Sequence, residues 1–264
     1  MTRLNTLHKY GREIDRRLRL QTFPLAVKLL EKEEDIPEAA QRPLRDLGYY
    51  LMVCQGFAMS RRDGVTVAML KEDMWCFEPV VGYGIEKPPQ YFLDGYNRFP
   101  RDVKTLQAGR NYAHEFPRLE HGKYIGIVSA PLVVTDFEPD LVIIYCNVEQ
   151  LSLLLLGREY KDGYNLKCSL SSHAACVYSV VPVMQSGNCQ VAIPCRGDRY
   201  GAMAKDFEMI FAVPKEKLED LLLGLRYVEK HGSSQLPRGY QMQPESLLPE
   251  VYEKIGKMMG MFKR

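Results

Sequence analysis

Apolar and polar positions alternate along this chain in a way that predicts strands and helices in turn. Short apolar runs bounded by glycine, proline or polar residues predict buried strands. They lie at 23–30, 65–70, 123–131, 140–146, 189–193 and 208–214, with 164–170 as a further candidate. Apolar residues at helical spacing predict helices at 44–61, 149–160, 172–183 and 215–231. This succession predicts an α/β fold, with α+β as the alternative.

Two parts of the chain repeat one order of elements. Each has a buried strand, a helix with a cysteine, a glycine turn, a strand followed by a second cysteine, and a strand that ends in Ala-Pro or Val-Pro. We therefore predict two similar β-α-β-containing halves, packed as one compact pseudo-twofold unit of mixed sheets with flanking helices. The first half, 1–135, includes an N-terminal helix and a long loop at 83–121, and the second, 136–264, includes the C-terminal helices. Since α/β proteins repeat such units by default, chance is the alternative explanation.

The charge pattern narrows the classes of partner. The net charge is +2, from 35 basic and 33 acidic residues that are interleaved, so the chain lacks the basic stripe of a nucleic-acid-binding protein. No apolar stretch approaches the roughly 20 residues that span a bilayer, and the N-terminus has no apolar signal region. These features predict a cytoplasmic protein that binds neither membrane nor nucleic acid, with a small molecule as its ligand.

The predicted C-terminal helix, 250–262, has a strongly apolar face. The face consists of Val251, Ile255, Met258, Met259 and Phe262. Such a face could close a homodimer as well as cover the protein's own core, and the sequence leaves both open.

Four of the seven cysteines are candidate metal ligands. The number is odd and the chain has no export signal, so we expect reduced thiols rather than disulfides. Four thiols lie on helices or turns near strand ends, where open α/β sheets place ligands, and a pseudo-twofold axis would bring them to one interface. They are Cys54, Cys76, Cys176 and Cys195. Thiolates that converge hold metals and iron–sulfur clusters, although the chain has no C-x-x-C motif and a buried cysteine is also a common core residue. The other strand cysteines, Cys146 and Cys189, are expected in the core.

Cys195 is the best single candidate for a reactive thiol. It is followed by Arg196 and Arg199, cations that we expect to lower the pKa of the thiol and to bind an anion. His173 precedes Cys176 by three residues on the predicted 172–183 helix, so the two would share a face. His173 could then act as a metal ligand or as a base for a thiol, and a hydrogen-bonded helix residue is the structural alternative. No nucleotide-binding or hydrolase motif occurs.

Several motifs in the chain resemble a known family. They are FPLAVKL at 23–29, CQ at 54–55, Cys76 with Gly82, PRL at 117–119 before a GKY strand, FEPD at 137–140 and PCRGDR at 194–199. Together they resemble the uncharacterised "domain of unknown function 169" family, also labelled an archaeal Cys-rich family, over residues 20–232.

The resemblance implies that Cys54, Cys76, Cys176 and Cys195 are the recurring cysteines of the family. It supplies no reaction. The family's occurrence mainly in anaerobic microbes implies, by association, oxygen-sensitive redox chemistry. This chain has Phe-Glu-Pro at 77–79 where the family has a small Gly/Ala-rich turn. Close approach of a backbone to a ligand needs glycine, so we expect this member to bind a different ligand or to hold it differently.

Three functions follow from these residues. The leading hypothesis is a cytosolic metal- or iron–sulfur-binding protein of anaerobic metabolism, with the four cysteines as ligands and Arg196 and Arg199 steering a small anionic metabolite. The second is a cofactor-free thiol enzyme with Cys195 as nucleophile and His173 as base. The third is a non-catalytic module that binds a small anion through its arginine loop. The sequence does not decide whether the protein is an enzyme.

Overall fold

The structure, a computed structural model, describes residues 3–231 and 249–261. The strands are β1 (Leu25–Leu30), β2 (Val67–Leu70), β3 (Gly126–Pro131), β4 (Leu141–Cys146), β5 (Gln190–Ala192) and β6 (Met209–Pro214). The helices are α1 (Arg3–Leu18), α2 (Val53–Ala58), α3 (Phe77–Gly82), α4 (Gln90–Leu93), α5 (Leu106–Glu115), α6 (Val148–Glu159), α7 (Ala175–Ser186), α8 (Arg196–Gly201), α9 (Leu218–Lys230) and α10 (Glu250–Met258).

The six strands form one sheet in the order β2-β3-β1-β4-β6-β5. Every pair of neighbouring strands is antiparallel, with Leu25 opposite Ile143 where β1 meets β4 at the centre. The predicted fold class is confirmed in its α+β form, but the expectation of mixed sheets is wrong.

The strand order reads the same from both edges when β1, β2 and β3 are matched with β4, β5 and β6. The predicted boundary at 135/136 falls in the connection between β3 and β4. This order is the one that a pseudo-twofold unit requires. The internal repeat itself stays a prediction.

Helices cover the sheet on both faces, which explains why the strands are apolar throughout. Alternate residues of β1, beginning with Leu25 and Val27, share one core cluster with residues of α7. On the other face α6 contacts β4 and β6 and packs against α9. Gly157 of α6 and Gly224 of α9 lie at the closest approach of these two helices. Among the described residues, no helix has the length and apolarity needed to cross a bilayer.

The predicted helix at 44–61 is interrupted, and the interruption positions Cys54. Gly48 adopts a φ of +79°, which ends the first helical turn, and Leu51 then pairs with Met74 beside the strand β2. The helix α2 therefore starts only at Val53. As a result Cys54 lies in the first turn of a short helix rather than in the middle of a long one.

Two predictions near α7 are wrong. The helix begins at Ala175, after Ala174 in a left-handed conformation (φ 50°), so His173 precedes the helix instead of sharing a face with Cys176. Residues 164–170 form no strand. The left-handed turn at Ala174 redirects the chain, which the helical spacing of the sequence does not reveal.

The helix α10 has an exposed apolar face. Its predicted apolar face is exposed at Val251, Ile255, Met258 and Met259. Phe262, which we assigned to the same face, lies outside the described residues. Whether this face closes a homodimer or covers the protein's own core stays open, as in the sequence.

Candidate functional site

The four cysteines that the sequence singled out lie at the starts of four helices. Cys54 and Cys176 are the second residues of α2 and α7, and Cys76 and Cys195 immediately precede α3 and α8. The first turn of a helix has unpaired N–H groups and the positive end of the helix dipole, which favour a negative charge. These four residues, here called the thiol cluster, thus share one local environment.

The members of the thiol cluster are close enough for their charges to interact. Burial, followed by the negative charges of Asp198, Cys195 and Cys76, raises the pKa of Cys54. Burial also raises the pKa of Cys176, and the charges of Cys54, Cys195 and Cys76 add to this rise. The pKa of Cys76 rises to about 12, again through burial first and with Cys195 among the contributing charges.

Gly197 lies next to two of these sulfurs, those of Cys195 and Cys54. A Cβ atom built on Gly197 would lie 3.6 Å from Cys195 Sγ and 3.7 Å from Cys54 Sγ. The same atom would lie 3.3 Å from the Met52 sulfur. A side chain at this position would therefore crowd the Met52 sulfur and touch both thiols at ordinary contact distance.

The remaining cysteines lie elsewhere. Cys146 and Cys189 are buried in the core, as predicted, and Cys168 is exposed. Burial raises the pKa of Cys146 to about 12 and that of Cys189 to about 11, and no thiol contributes to either shift. The four candidate cysteines are thus distinguished from the other three by their proximity to one another.

Asp198 is a residue of this site that the sequence reasoning missed. It is 1% exposed, and its Oδ2 accepts hydrogen bonds from the Cys195 thiol at 3.3 Å and the Cys195 amide at 3.4 Å. Its Oδ1 accepts the Tyr145 hydroxyl at 2.8 Å. Burial raises the pKa of Asp198, whereas its hydrogen bonds from Tyr145 and Cys195 lower it. The sequence contains one signal that could have identified Asp198. It is an acidic residue three positions after a helix N-cap, which is the spacing of a capping box.

The tyrosine that donates to Asp198, Tyr145, packs against a buried arginine, Arg61. The Arg61 guanidinium lies 4.0 Å from the centre of the Tyr145 ring, a cation–π contact, and Arg61 Nη1 pairs with Glu208 Oε1 at 3.2 Å. Both charged side chains are almost completely buried. The polar chain from Cys195 through Asp198 and Tyr145 to Arg61 therefore lies inside the protein.

Arg196 and Arg199 do not act on Cys195 as expected. Both are exposed on α8, and within the described residues no ion pair of either guanidinium is found. Burial, followed by the charge of Asp198, raises the pKa of Cys195, although the amides of Ala175 and Asp198 lower it. The expectation of a lowered pKa is wrong, because burial, followed by the buried carboxylate next to the sulfur, outweighs the exposed cations that water screens.

His173 also lies apart from the thiol cluster. Its ring meets the Tyr112 ring edge-on, with 6.2 Å between their centres. Burial lowers the pKa of His173, Arg98 and Arg101 lower it further, and Asp102 raises it. The groups that surround this imidazole are thus an arginine–aspartate cluster, not the cysteines.

Gly82 brings two of the cysteine-bearing helices together. A Cβ atom on Gly82 in α3 would lie 2.5 Å from Val177 Cγ1 in α7. The hydroxyl of the adjacent Tyr83 donates to the backbone oxygen of Cys176 at 3.1 Å. The chain thus allows close packing at the end of α3.

A surface cleft of about 460 Å³ lies on another side of α7. Its lining includes Tyr178, Lys167, Gln185 and Cys168. None of the thiol cluster contributes to this cleft.

The thiol cluster has the donor chemistry of a soft-metal site. Over the described ranges, 3–231 and 249–261, no three His, Cys, Asp or Glu side chains adopt a ready metal-holding arrangement. Thiols whose pKa is raised by burial and by one another stay protonated at neutral pH. A cation that binds them must displace these protons, and its positive charge then offsets the repulsion between the resulting thiolates.

These observations define an α+β protein with a cluster of four thiols at helix N-termini. A family model described as uncharacterised ArCR, domain of unknown function 169, matches residues 13–224, and the chain belongs to this family. An uncharacterised protein of Methanocaldococcus jannaschii is 23% identical over 228 residues, which are 85% of this chain and 95% of that protein. No solved structure matches the chain.

Proposed function

We propose that this chain is a metal-binding protein whose thiol cluster holds an iron–sulfur cluster or another thiolate-bound metal. In this proposal the ligands are Cys54, Cys76, Cys176 and Cys195. The supporting observation is placement. Each of these four thiols lies at the start of a helix, and the sulfurs of Cys195 and Cys54 both approach Gly197. The charges of Cys54, Cys195 and Cys76 also act on Cys176, whereas Cys146 and Cys189 are core residues and Cys168 is exposed.

The chain's own residues suit this role in three ways. The helix N-termini offer N–H groups to thiolates, and burial keeps water away from them. Asp198 can accept the proton that Cys195 loses, because the thiol already donates to it. A bound iron–sulfur cluster would supply one-electron transfer.

The metabolic setting is also part of the proposal. We place the protein in the cytoplasm of a cell with anaerobic metabolism, where thiols stay reduced. Arg196 and Arg199 are exposed beside the thiol cluster and can attract a small anionic metabolite to it.

The test is metal and sulfide analysis, with a visible spectrum, on full-length protein purified without oxygen and again after reconstitution with iron and sulfide. We expect metal at a fixed ratio to protein, and its loss from Cys54→Ser and Cys176→Ser variants. Cys168→Ser and Cys189→Ala are the matched controls, because they change thiols outside the thiol cluster. Negligible iron and zinc in both preparations would refute the proposal.

A second candidate is a cofactor-free thiol enzyme with Cys195 as the nucleophile. It is favoured by the partial exposure of Cys195 and by the amides of Ala175 and Asp198 that point to its sulfur. This candidate expects alkylation of Cys195 to be much faster than that of free cysteine at neutral pH. It also expects Asp198, which accepts a hydrogen bond from the thiol, to affect that rate more than His173, whose ring faces Tyr112.

A further inference from the structure

Arg98 is a buried arginine with one edge of its guanidinium unpaired. The residue is 2% exposed, and its Nη1 donates to Asp102 Oδ2 at 2.9 Å. Its Nε and Nη2 are buried and have no hydrogen-bond partner among the described residues. Nε and Nη2 lie on the same edge of the guanidinium, the edge that binds both oxygens of a carboxylate or phosphate side-on.

Unpaired donors of this kind are rare in folded proteins. Nearly all buried polar groups are paired, and an unpaired donor on a charged group is among the most costly exceptions. Arg98 leaves two such donors unpaired, side by side. A partner that the protein chain does not supply is therefore expected at this edge.

The direction of the unpaired edge is fixed by two contacts. The guanidinium lies over the Tyr112 ring, 4.1 Å from its centre, and Asp102 holds Nη1. Asp102 also accepts two N–H groups of Arg101, at 2.9 and 2.8 Å. Since Asp102 is engaged in this way, Arg98 cannot turn its Nε edge to the same carboxylate without losing the stack on Tyr112. The edge is thus held ready for a ligand.

Other groups at this place complete a polar site. The Tyr112 hydroxyl is also buried, and no other side chain or backbone group of the described residues meets it with full hydrogen-bond geometry. Burial raises its pKa, and the Arg98 guanidinium lies close enough to lower it. His173 meets Tyr112 edge-on, and the two nearby arginines act on it as positive charges. The nearby acids are Asp102, which is already paired, and Glu78 on α3.

We propose that Arg98 anchors a binding site for a small oxyanion, either a carboxylate or a phosphate group. Nε and Nη2 hold two oxygens of this group side-on, and the Tyr112 hydroxyl is a third donor. The site is distinct from the thiol cluster and needs no metal. It is separate from the exposed arginines Arg196 and Arg199, and it goes beyond the proposed metal-binding function.

The direct test is nuclear magnetic resonance of the arginine Nε–Hε groups in the ¹⁵N-labelled full chain. The Arg98 signal is assigned by its loss in Arg98→Lys. Sodium acetate and sodium phosphate are titrated separately against sodium chloride at equal ionic strength. We expect one of the two anions to shift the Arg98 signal in a saturable way, which also identifies carboxylate or phosphate as the ligand chemistry.

Variants give the size of the effect. Saturable thermal stabilisation by the same anion should accompany the shift. Arg98→Lys keeps the charge and loses the two-donor edge, so we expect its Kd to rise about tenfold or more. Tyr112→Phe keeps the ring under Arg98 and removes only the hydroxyl, and it should weaken binding less. Arg110→Lys, an exposed arginine on α5 two residues before Tyr112, is the matched control and should bind like the wild type.

The outcome is independent of the thiol cluster. The titrations are run on metal-free protein and on the Cys54→Ser variant, so a failure to bind metal leaves the anion result unchanged. If neither acetate nor phosphate shifts the Arg98 signal beyond the chloride control, water alone occupies the edge and the proposal is overturned. Equal affinity of the wild type and Arg98→Lys would overturn it as well.

Discussion

The carboxylate of Asp198 accepts hydrogen bonds from both the thiol and the backbone amide of Cys195. This double contact ties the acid at the third position of α8 to the residue that precedes the helix. It also places a negative charge next to a sulfur that, by our proposal, must become a thiolate. Asp198 therefore stabilises the protonated form of Cys195. Ionisation of the thiol then requires a cation that binds the sulfur or another proton acceptor.

Replacing Asp198 with asparagine tests this relationship. Asp198→Asn removes the charge that opposes ionisation, so the pKa of Cys195 should fall and its alkylation by iodoacetamide at neutral pH should accelerate. The rate is measured by mass spectrometry on the peptide that contains Cys195. Asp206→Asn, an exposed acid of the following loop, is the control. A rate for Asp198→Asn equal to the wild-type rate would contradict the role of the carboxylate.

Arg61 should be needed chiefly as the partner of Glu208. Arg61→Met leaves Glu208 buried and unpaired, so we expect a loss of about 3–5 kcal/mol in the free energy of unfolding. The double variant Arg61→Met, Glu208→Gln should recover a large part of this loss, because the unpaired charge is gone. Denaturant unfolding of the single and double variants measures both values. Additive effects would show that the two side chains are not coupled.

Gly82 should be required for the packing of α3 on α7. Gly82→Ala places a methyl group where Val177 lies, and overpacking of this kind costs about 1–3 kcal/mol. Combining it with Val177→Ala should cost less than the sum of the single changes, because the smaller residue makes room. A double-mutant cycle by denaturant unfolding gives the coupling energy. If the cycle shows no coupling, the close approach of the two helices is not the cause of the destabilisation by Gly82→Ala.

Glu13 should make stability depend on pH in the acid range. Hydrogen bonds from Arg226, and then from Arg17, lower the pKa of Glu13 from 4.5 to about 2, against the effect of burial. A lowered pKa in the folded state stabilises the protein above pH 4.5, and this contribution is lost as the pH falls from 4.5 to about 2. Glu13→Gln should therefore make the fall in unfolding free energy over this range shallower.

The matched control for Glu13 is Glu33→Gln, an exposed acid without an ion pair among the described residues. Unfolding free energies are measured at several pH values for both variants. The prediction is contradicted if the two variants show the same dependence on pH.

The sequence predicted the parts of the structure that depend on local pattern. All six apolar runs of the main set correspond to strands, because a buried strand of this kind needs a continuous apolar segment with a turn at each end. The order of the elements also directed attention to Cys54, Cys76, Cys176 and Cys195. That choice depended on placement near strand ends rather than on any spacing motif.

The sequence was less informative about where helices begin. The helical spacing around 172–183 hid the left-handed Ala174, which removes His173 from the helix. Similarly, the spacing at 44–61 hid the break at Gly48. Helix boundaries depend on single backbone conformations, and the apolar pattern averages over such positions.

By itself, then, the sequence determined the apolar strands, the presence of both helices and strands, and which cysteines are candidates for a site, since burial and periodicity are properties of neighbouring residues. Only the tertiary structure decided that the sheet is antiparallel, that Asp198 lies against Cys195, and that Arg98 has an unpaired edge. Each of these depends on contacts between residues far apart in the chain. In particular, the pKa of Cys195 is set by burial and by a carboxylate inside the protein, whereas the exposed arginines that the sequence emphasised are screened by water.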